Sequence, residues 1–237
     1  MQTSKRIYVL VFLVVLSAGR ISGQEGFMQD LERVNSLFGK GQFCKMTYRL
    51  FRAGVESPVE VLEGSYLSKG KNYILEIAGT KVISIEKERL LINEPEKFMA
   101  LAKPALFGEY GQVDFSQIEP FIDTVKMVPG LPEHIKGYAL FLKPYLSNPY
   151  KRIEMYIDTQ TGYPVKIRLL YANEIDFSTD NSGALGYPII EVRYKEIRPR
   201  SIPDKEFDTK RYYSCVKGTC SGKGAYTGYA FYNQKDL

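Results

Sequence analysis

The residues of this chain that could carry out chemistry are few and lie far apart in the sequence. His134 is the only histidine, so any Ser-His or Cys-His catalysis would have to use it. It lies between a predicted helix and a predicted strand, where a surface loop is the simplest description. The chain has no Gly-x-Ser-x-Gly elbow, no phosphate-binding glycine loop and no HExxH motif. We therefore predict no catalytic residue, no metal site and no cofactor; a glycosidase-like pair of carboxylates stays open.

The three cysteines favour a structural role. Cys215 and Cys220 enclose only Val-Lys-Gly-Thr and predict a small disulfide-closed loop in an oxidising compartment. A redox centre would favour Cys-x-x-Cys, and a zinc site would need four ligands where this segment offers two. Cys44 alternates with Met46 and Tyr48, so we expect a buried apolar residue rather than a nucleophile.

The first 23 residues have the layout of a secretory signal peptide. Lys5 and Arg6 precede an apolar run over residues 7–16, and small residues follow. The run is shorter than the roughly 20 residues that span a bilayer, which favours a cleaved signal over a membrane anchor. We therefore predict an exported protein of the periplasm of a bacterium with an outer membrane, with secretion as the alternative. No transmembrane span is expected after cleavage.

Charge argues against a nucleic-acid partner. The formal net charge is +5, and Lys5, Arg6 and Arg20 contribute three of these charges, which leaves +2 after signal cleavage. Basic and acidic residues alternate along the chain, as in Glu86-Lys87, so no basic stripe for a phosphate backbone is visible.

The remaining chain predicts mostly strands. Apolar residues at helical spacing over 27–38 indicate one amphipathic helix that ends at Gly39 or Gly41. A capping-box pattern at Ser116 predicts a second helix that ends before Pro129, and Pro95 predicts a short helix that carries Phe98. Alternating residues with short links predict antiparallel strands at 42–52, 58–67, 72–78, 81–86, 89–92, 137–143, 151–158, 164–171 and 187–197.

These elements predict an α+β fold, a strongly curved antiparallel sheet of about 9–11 strands with helices covering its concave side. Such a half-barrel leaves an apolar hollow where the helices cover it imperfectly, and hollows of this type accept acyl chains. A solidly packed core is the alternative. The predicted hollow is lined by apolar residues of the segment 60–94 and by part of a lid: Tyr66, Tyr73, Leu75, Ile77, Ile83, Ile85, Phe98 and Met99.

Order and pattern of these segments resemble a known family. The helix DLERVNSLFGK runs into the strand FCKMTYRLF; the pair EGSYLSKGKNYILEI and the hairpin IEMYIDTQTGYPVKIRLLY follow, and IIEVRYKEIRPRSIPDKEFD ends the series. This order resembles the periplasmic lipoprotein-carrier (LolA-like) superfamily. The resemblance implies a half-barrel that takes the acyl chains of lipoproteins, as in outer membrane lipoprotein sorting. The basic residue followed by proline that carriers show after the second strand is replaced here by LSKGK, so no family arginine is carried over.

Three segments and two functions follow from the sequence. We expect a signal peptide over 1–23, a LolA-like domain over 24–208 and a tyrosine-rich extension over 209–237 that supplies one more strand at a sheet edge or an interface. The first function is a non-catalytic carrier of a lipid, an acyl chain or a lipoprotein. The second is an envelope assembly protein with the same fold, a filled core and a protein partner. A hydrolase is the least favoured.

Overall fold

The computed structural model describes residues 24–104, 118–143, 149–178 and 184–233. The predicted export signal and the start of the predicted second helix, at Ser116, lie outside these ranges. Within them, residues 24–39 form one α-helix, which we call α1. The strands in chain order are β1 (Gln42–Arg52), β2 (Glu60–Lys69), β3 (Asn72–Ile77), β4 (Thr80–Ile85), β5 (Glu88–Asn93), β6 (Phe98–Ala102), β7 (Ile122–Met127), β8 (Ile135–Leu142), β9 (Tyr150–Asp158), β10 (Pro164–Tyr171), β11 (Ile175–Asp176), β12 (Leu185–Gly186), β13 (Pro188–Pro199), β14 (Tyr213–Val216), β15 (Thr219–Gly222) and β16 (Ala230–Asn233).

Twelve of these strands form one sheet, in the order β16-β6-β5-β4-β3-β2-β1-β13-β10-β9-β8-β7. Two meanders, β1–β6 and β7–β10, meet at β13, which pairs with both β1 and β10. Every pairing is antiparallel except that of β16 with β6. The prediction of a large antiparallel sheet is confirmed, and an open sheet of this width twists and curves. The strands β11 with β12 and β14 with β15 form two separate hairpins.

One face of the sheet packs against α1, and we call it the helix-side face. Phe27, Leu31 and Val34 are buried at helical spacing and belong to the same core cluster as Met46 of β1 and Leu140 of β8. The alternation of apolar residues along each strand places that core on one side of the sheet. The amphipathic helix predicted over 27–38 is therefore present.

A glycine makes the tight connection from α1 into β1 feasible. Gly41 has a φ of 101°, a region that L side chains rarely adopt. Its carbonyl accepts a hydrogen bond from the Arg200 N–H at 3.0 Å, and a Cβ at Gly41 would lie 2.5 Å from the Arg200 carbonyl oxygen. The close approach of the two backbones thus requires glycine.

The other side of the sheet, which we call the opposite face, carries a second core. Its sheet residues come from β3 to β6 and include Ile74, Ile83 and Met99. Residues 200–233, which we call the C-terminal segment, cover them with Ile202 and Phe207 and with the neighbouring side chains Tyr213, Tyr226 and Phe231. The second core therefore depends on residues from the end of the chain.

The prediction of a second helix before Pro129 is wrong where the chain is described. Glu119–Phe121 form a single 3-10 turn, and the next residues form β7. Ile122 and Val125 have helix-like spacing, but a β-bulge between Ile122 and Thr124 turns both toward Leu142 and Leu140 of β8. The extra residue in the bulge makes a spacing of three compatible with one face of a strand.

The short helix predicted after Pro95 is also wrong. Phe98 and Met99 begin β6, where Met99 and Leu101 alternate as buried residues with half-buried neighbours. The Asn93 Oδ1 accepts a hydrogen bond from the Glu96 N–H at 2.8 Å, which closes a turn instead of starting a helix. Phe98 and Met99 are therefore sheet residues and not a lid.

The cysteine prediction is confirmed. Cys215 of β14 and Cys220 of β15 are directly paired across the hairpin and form a disulfide with Cα atoms 4.0 Å apart. Lys217 and Gly218 form the turn, both with positive φ, as two-residue hairpin turns of type I′ require. The strand expected near the end of the chain is β16, which covers the edge of β6. In the described ranges, no helix has the length and apolarity of a membrane span.

The role of the C-terminal segment in the second core gives a stability prediction. Phe207 is 3 % exposed, so we expect Phe207→Ala to lower the free energy of unfolding by about 3–5 kcal/mol. The matched control Lys205→Ala changes an exposed side chain of the same turn and is expected to stay within about 0.5 kcal/mol. Chemical denaturation measures both. A loss near that of the control would contradict an integral role for this segment.

Candidate functional site

Five of the eight residues predicted to line a hollow share the helix-side face. Leu75 and Ile77 belong to the core, and Tyr66 and Tyr73 pack against it while half-buried. Phe98 lies on the same side of β6, because its neighbour Ala100 pairs with the helix-side residue Leu91.

The other three residues, Ile83, Ile85 and Met99, lie on the opposite face under the C-terminal segment. The turn between β3 and β4 is the cause. Ala78 and Gly79 form a two-residue turn, so Leu75 pairs with Val82 while Ile83 pairs with Ile74. Residues of β3 with odd numbers therefore share a face with residues of β4 with even numbers. One hollow cannot include both Leu75 and Ile83.

Half-buried rings form the border of the helix-side core. Tyr66 and Tyr73 stack with ring centroids 5.6 Å apart, and Phe38 of α1 lies 6.1 Å from Tyr66. Among the described residues, the ring contacts of α1 extend no further toward β6 than Tyr66. Leu62 and Leu91, also half-buried, continue this apolar border on β2 and β5. We call Leu62, Tyr66, Tyr73 and Leu91 the apolar border.

At the other end of α1, a polar contact fixes the helix to β8. The Tyr138 hydroxyl donates a hydrogen bond to the Asp30 carboxylate at 2.5 Å, and the Lys136 Nζ lies 3.1 Å from the same oxygen. Burial first, and then the hydrogen bond to Asp30, raise the pKa of Tyr138. Its ring also contacts Phe27, with centroids 5.2 Å apart.

A surface cavity of about 510 Å³ lies on the opposite face, beside β1 to β4. Its charged lining includes Lys45, Glu63 and Glu94 and the ion pair of Lys81 with Glu76 at 2.7 Å. This lining does not match the predicted apolar hollow.

The opposite face also carries a row of alternating charges. Arg49 of β1, Glu191 of β13, Arg168 of β10 and Glu154 of β9 are direct partners in successive strand pairs. The two carboxylate side chains are 7 % exposed, whereas the arginines are about one-third exposed. With their flanking cations they form what we call the cationic cluster: Arg49, Arg152, Glu154, Lys166, Arg168, Glu191 and Arg193.

The cluster is not visible in the sequence, because its members come from four separate strands. The available signal was the period of two in Arg152-x-Glu154, Lys166-x-Arg168 and Glu191-x-Arg193, which places both charges of each strand on one face. Strand pairing then joins these short patterns into one surface.

The two candidate nucleophile and base residues lie in different environments. Cys44 is completely buried, and burial raises the pKa of its thiol to about 12, so it stays protonated and unreactive near neutral pH. His134 is exposed in the turn before β8, and its carbonyl accepts a hydrogen bond from the Thr159 N–H at 2.8 Å. In the part of the chain that the structure describes, no three histidine, cysteine, aspartate or glutamate side chains are arranged to hold a metal ion.

Comparisons with known proteins show a likeness of fold. No family model matches the chain, and no curated protein matches its sequence. An uncharacterized conserved protein from Thermus thermophilus has a similar solved structure, with a TM-score of 0.53, 12% identity, and coverage of 88% of this chain and 99% of that one. That likeness shows a shared fold.

Solved structures of the family indicated by the sequence are also similar to this chain. A LolA superfamily protein from Nitrosomonas europaea has a TM-score of 0.43 and 12% identity, with 77% of this chain and 97% of that one covered. A domain described as outer membrane lipoprotein-sorting, from Vibrio parahaemolyticus, has a TM-score of 0.43 and 12% identity, with 81% and 98% covered. Both are structures to which this chain is similar at low sequence identity.

The cysteine environments predict three different thiol counts. In the native protein at pH 7.5 we expect no thiol to react, because Cys44 is buried and the other two form a disulfide. Unfolding without a reductant should expose one thiol, and unfolding with a reductant should expose three. A colorimetric thiol assay measures all three states; three thiols without a reductant would contradict the disulfide.

Proposed function

We propose that this protein is exported to the cell envelope and binds an acyl chain or another lipid on the helix-side face, without catalysing a reaction. The observation that carries the proposal is the apolar border, where half-buried apolar side chains lie beside a large core and the ring contacts of α1 end at Tyr66. Ligand sites for apolar molecules are commonly lined by such aliphatic and aromatic side chains. The export pattern in residues 1–23 supports the envelope as the location.

A sheet of twelve strands twists and curves, and Tyr48 of β1 and Tyr150 of β9 both lie on its helix-side face. Burial is the main cause that raises the pKa of Tyr150, and the nearby Tyr171 and then Tyr48 add to it. A sheet that curls toward the helix-side face would enclose a hollow there.

The predicted hollow residues then take two roles. Leu75 and Ile77 are buried and form the floor, and Tyr66, Tyr73 and Phe98 are half-buried and accessible to a ligand. Ile83, Ile85 and Met99 lie on the other side of the sheet and take no part. The lipid would therefore lie over β2 to β6, next to the end of α1.

A second candidate function is an envelope assembly protein with the same fold and no lipid cargo. The complete burial of Leu75, at 0 % exposure, favours it, because that part of the predicted hollow is filled in this structure. Native mass spectrometry of gently purified protein separates the two functions. Repeated purification without any bound lipid would contradict the carrier.

A matched pair of charge substitutions tests the face. Leu62→Glu places a carboxylate in the apolar border, and Val61→Glu places one on the opposite face of the same strand, where Val61 is 50% exposed. We expect Leu62→Glu to weaken binding of a dansyl-labelled fatty acid at least about tenfold, because a charge in an apolar site is costly. Val61→Glu should change it less than about twofold. Equal effects of both variants would contradict a site on the helix-side face.

A further inference from the structure

We propose that the cationic cluster is a docking surface for an acidic segment of a partner protein, whose Asp and Glu carboxylates pair with its arginines. The cluster lies on the face opposite the proposed lipid site. It therefore gives the protein a second binding function that does not depend on the first.

The cluster has an excess of positive charge. Five cationic side chains surround two carboxylates, so the cluster carries three more positive than negative charges. Glu154 contacts both Arg152, at 2.8 Å, and Arg168, at 3.2 Å. Each internal carboxylate is thus shared by several cations, and the surface is electrostatically complementary to an anionic partner.

Lys166 is the clearest sign of this excess. Its ammonium lies 4.0 Å from the ring centroid of Tyr156, and within the described ranges no carboxylate is close enough to form an ion pair with it. Burial first lowers the pKa of Lys166, and Arg168 and Arg193 lower it further, against the opposing effect of Glu191 and Glu154. A bound carboxylate would relieve this repulsion.

The arginines are accessible and have fixed positions. The arginine side chains of the cluster remain 31–46 % exposed, so a partner can reach them. Because Glu154 and Glu191 already hold them, less side-chain entropy is lost on binding, and guanidinium groups match carboxylates in planar, two-bond geometry.

The dimensions and pattern of the cluster favour a peptide. It spans β1, β13, β10 and β9, which is about 14 Å and about four residues of extended chain. Its charges alternate in sign along the row from Arg49 to Glu154, which suits separate carboxylates better than the uniform charge of a membrane surface. A membrane of anionic lipid is the competing outcome of the test.

The test uses the full chain and an octaglutamate peptide that carries a neutral dye at its amino terminus. We expect fluorescence anisotropy to show binding that weakens between 50 and 300 mM salt. The double variant Lys166→Gln with Arg193→Gln should bind at least about tenfold more weakly. The control Lys45→Gln removes a cation of the same face that pairs with Glu196 at 2.9 Å, and should change binding less than about twofold.

Lys166→Gln alone separates docking from a purely structural role. It removes no ion pair, so we expect an unchanged or higher melting temperature together with weaker peptide binding. A lowered melting temperature with unchanged binding would overturn the proposal. So would wild-type protein that does not bind the peptide, or that binds phosphatidylglycerol vesicles and leaves the peptide free. Lipid co-purification is measured separately, so this proposal and the carrier function can fail independently.

Discussion

The alternation of side chains between the two faces of one sheet is the constraint on which the rest of this structure depends. A twelve-stranded sheet has two large faces, and each strand contributes to both. The helix α1 covers part of one face and the C-terminal segment covers part of the other. The faces differ in their uncovered parts: the helix-side face has half-buried apolar residues there, and the opposite face has charges. Any division of function in the molecule follows from this division of residues.

Much of the sheet could be predicted from the sequence, because the alternating pattern reports strands directly. The limits of β1 and β10 agree with the predicted 42–52 and 164–171. Two helices were wrongly predicted, each at a place where a helical signal competes with a local signal for a strand or a turn. Ile122 and Val125 have the spacing of a helix, and only the bulge shows that a strand accommodates it. Pro95 can start a helix, but Asn93 uses the adjacent backbone in a turn.

The candidate site was harder to predict, because the face on which a residue lies depends on how its strand pairs with its neighbours as well as on the alternation of apolar residues within the strand. Leu75 and Ile83 each lie in an alternating strand, yet the two-residue turn at Ala78 and Gly79 sends them to opposite faces. The cationic cluster is a stronger case, since Arg49 and Glu191 are direct partners although 142 positions separate their numbers. Such long-range partners follow from the register of β13 between two meanders, which no short stretch of sequence contains.

The bulge in β7 also bears on aggregation through the edge of the sheet. β7 is the last strand in the sheet order, so one of its sides has no partner strand among the described elements. An exposed, regular edge is a template on which a second chain can add a strand and begin to aggregate. The bulge interrupts the even row of backbone donors and acceptors, and the exposed Asp123 and Lys126 place charges along it. The same irregular residue that fits a helix-like spacing into a strand thus makes this edge a poor template for amyloid-like growth.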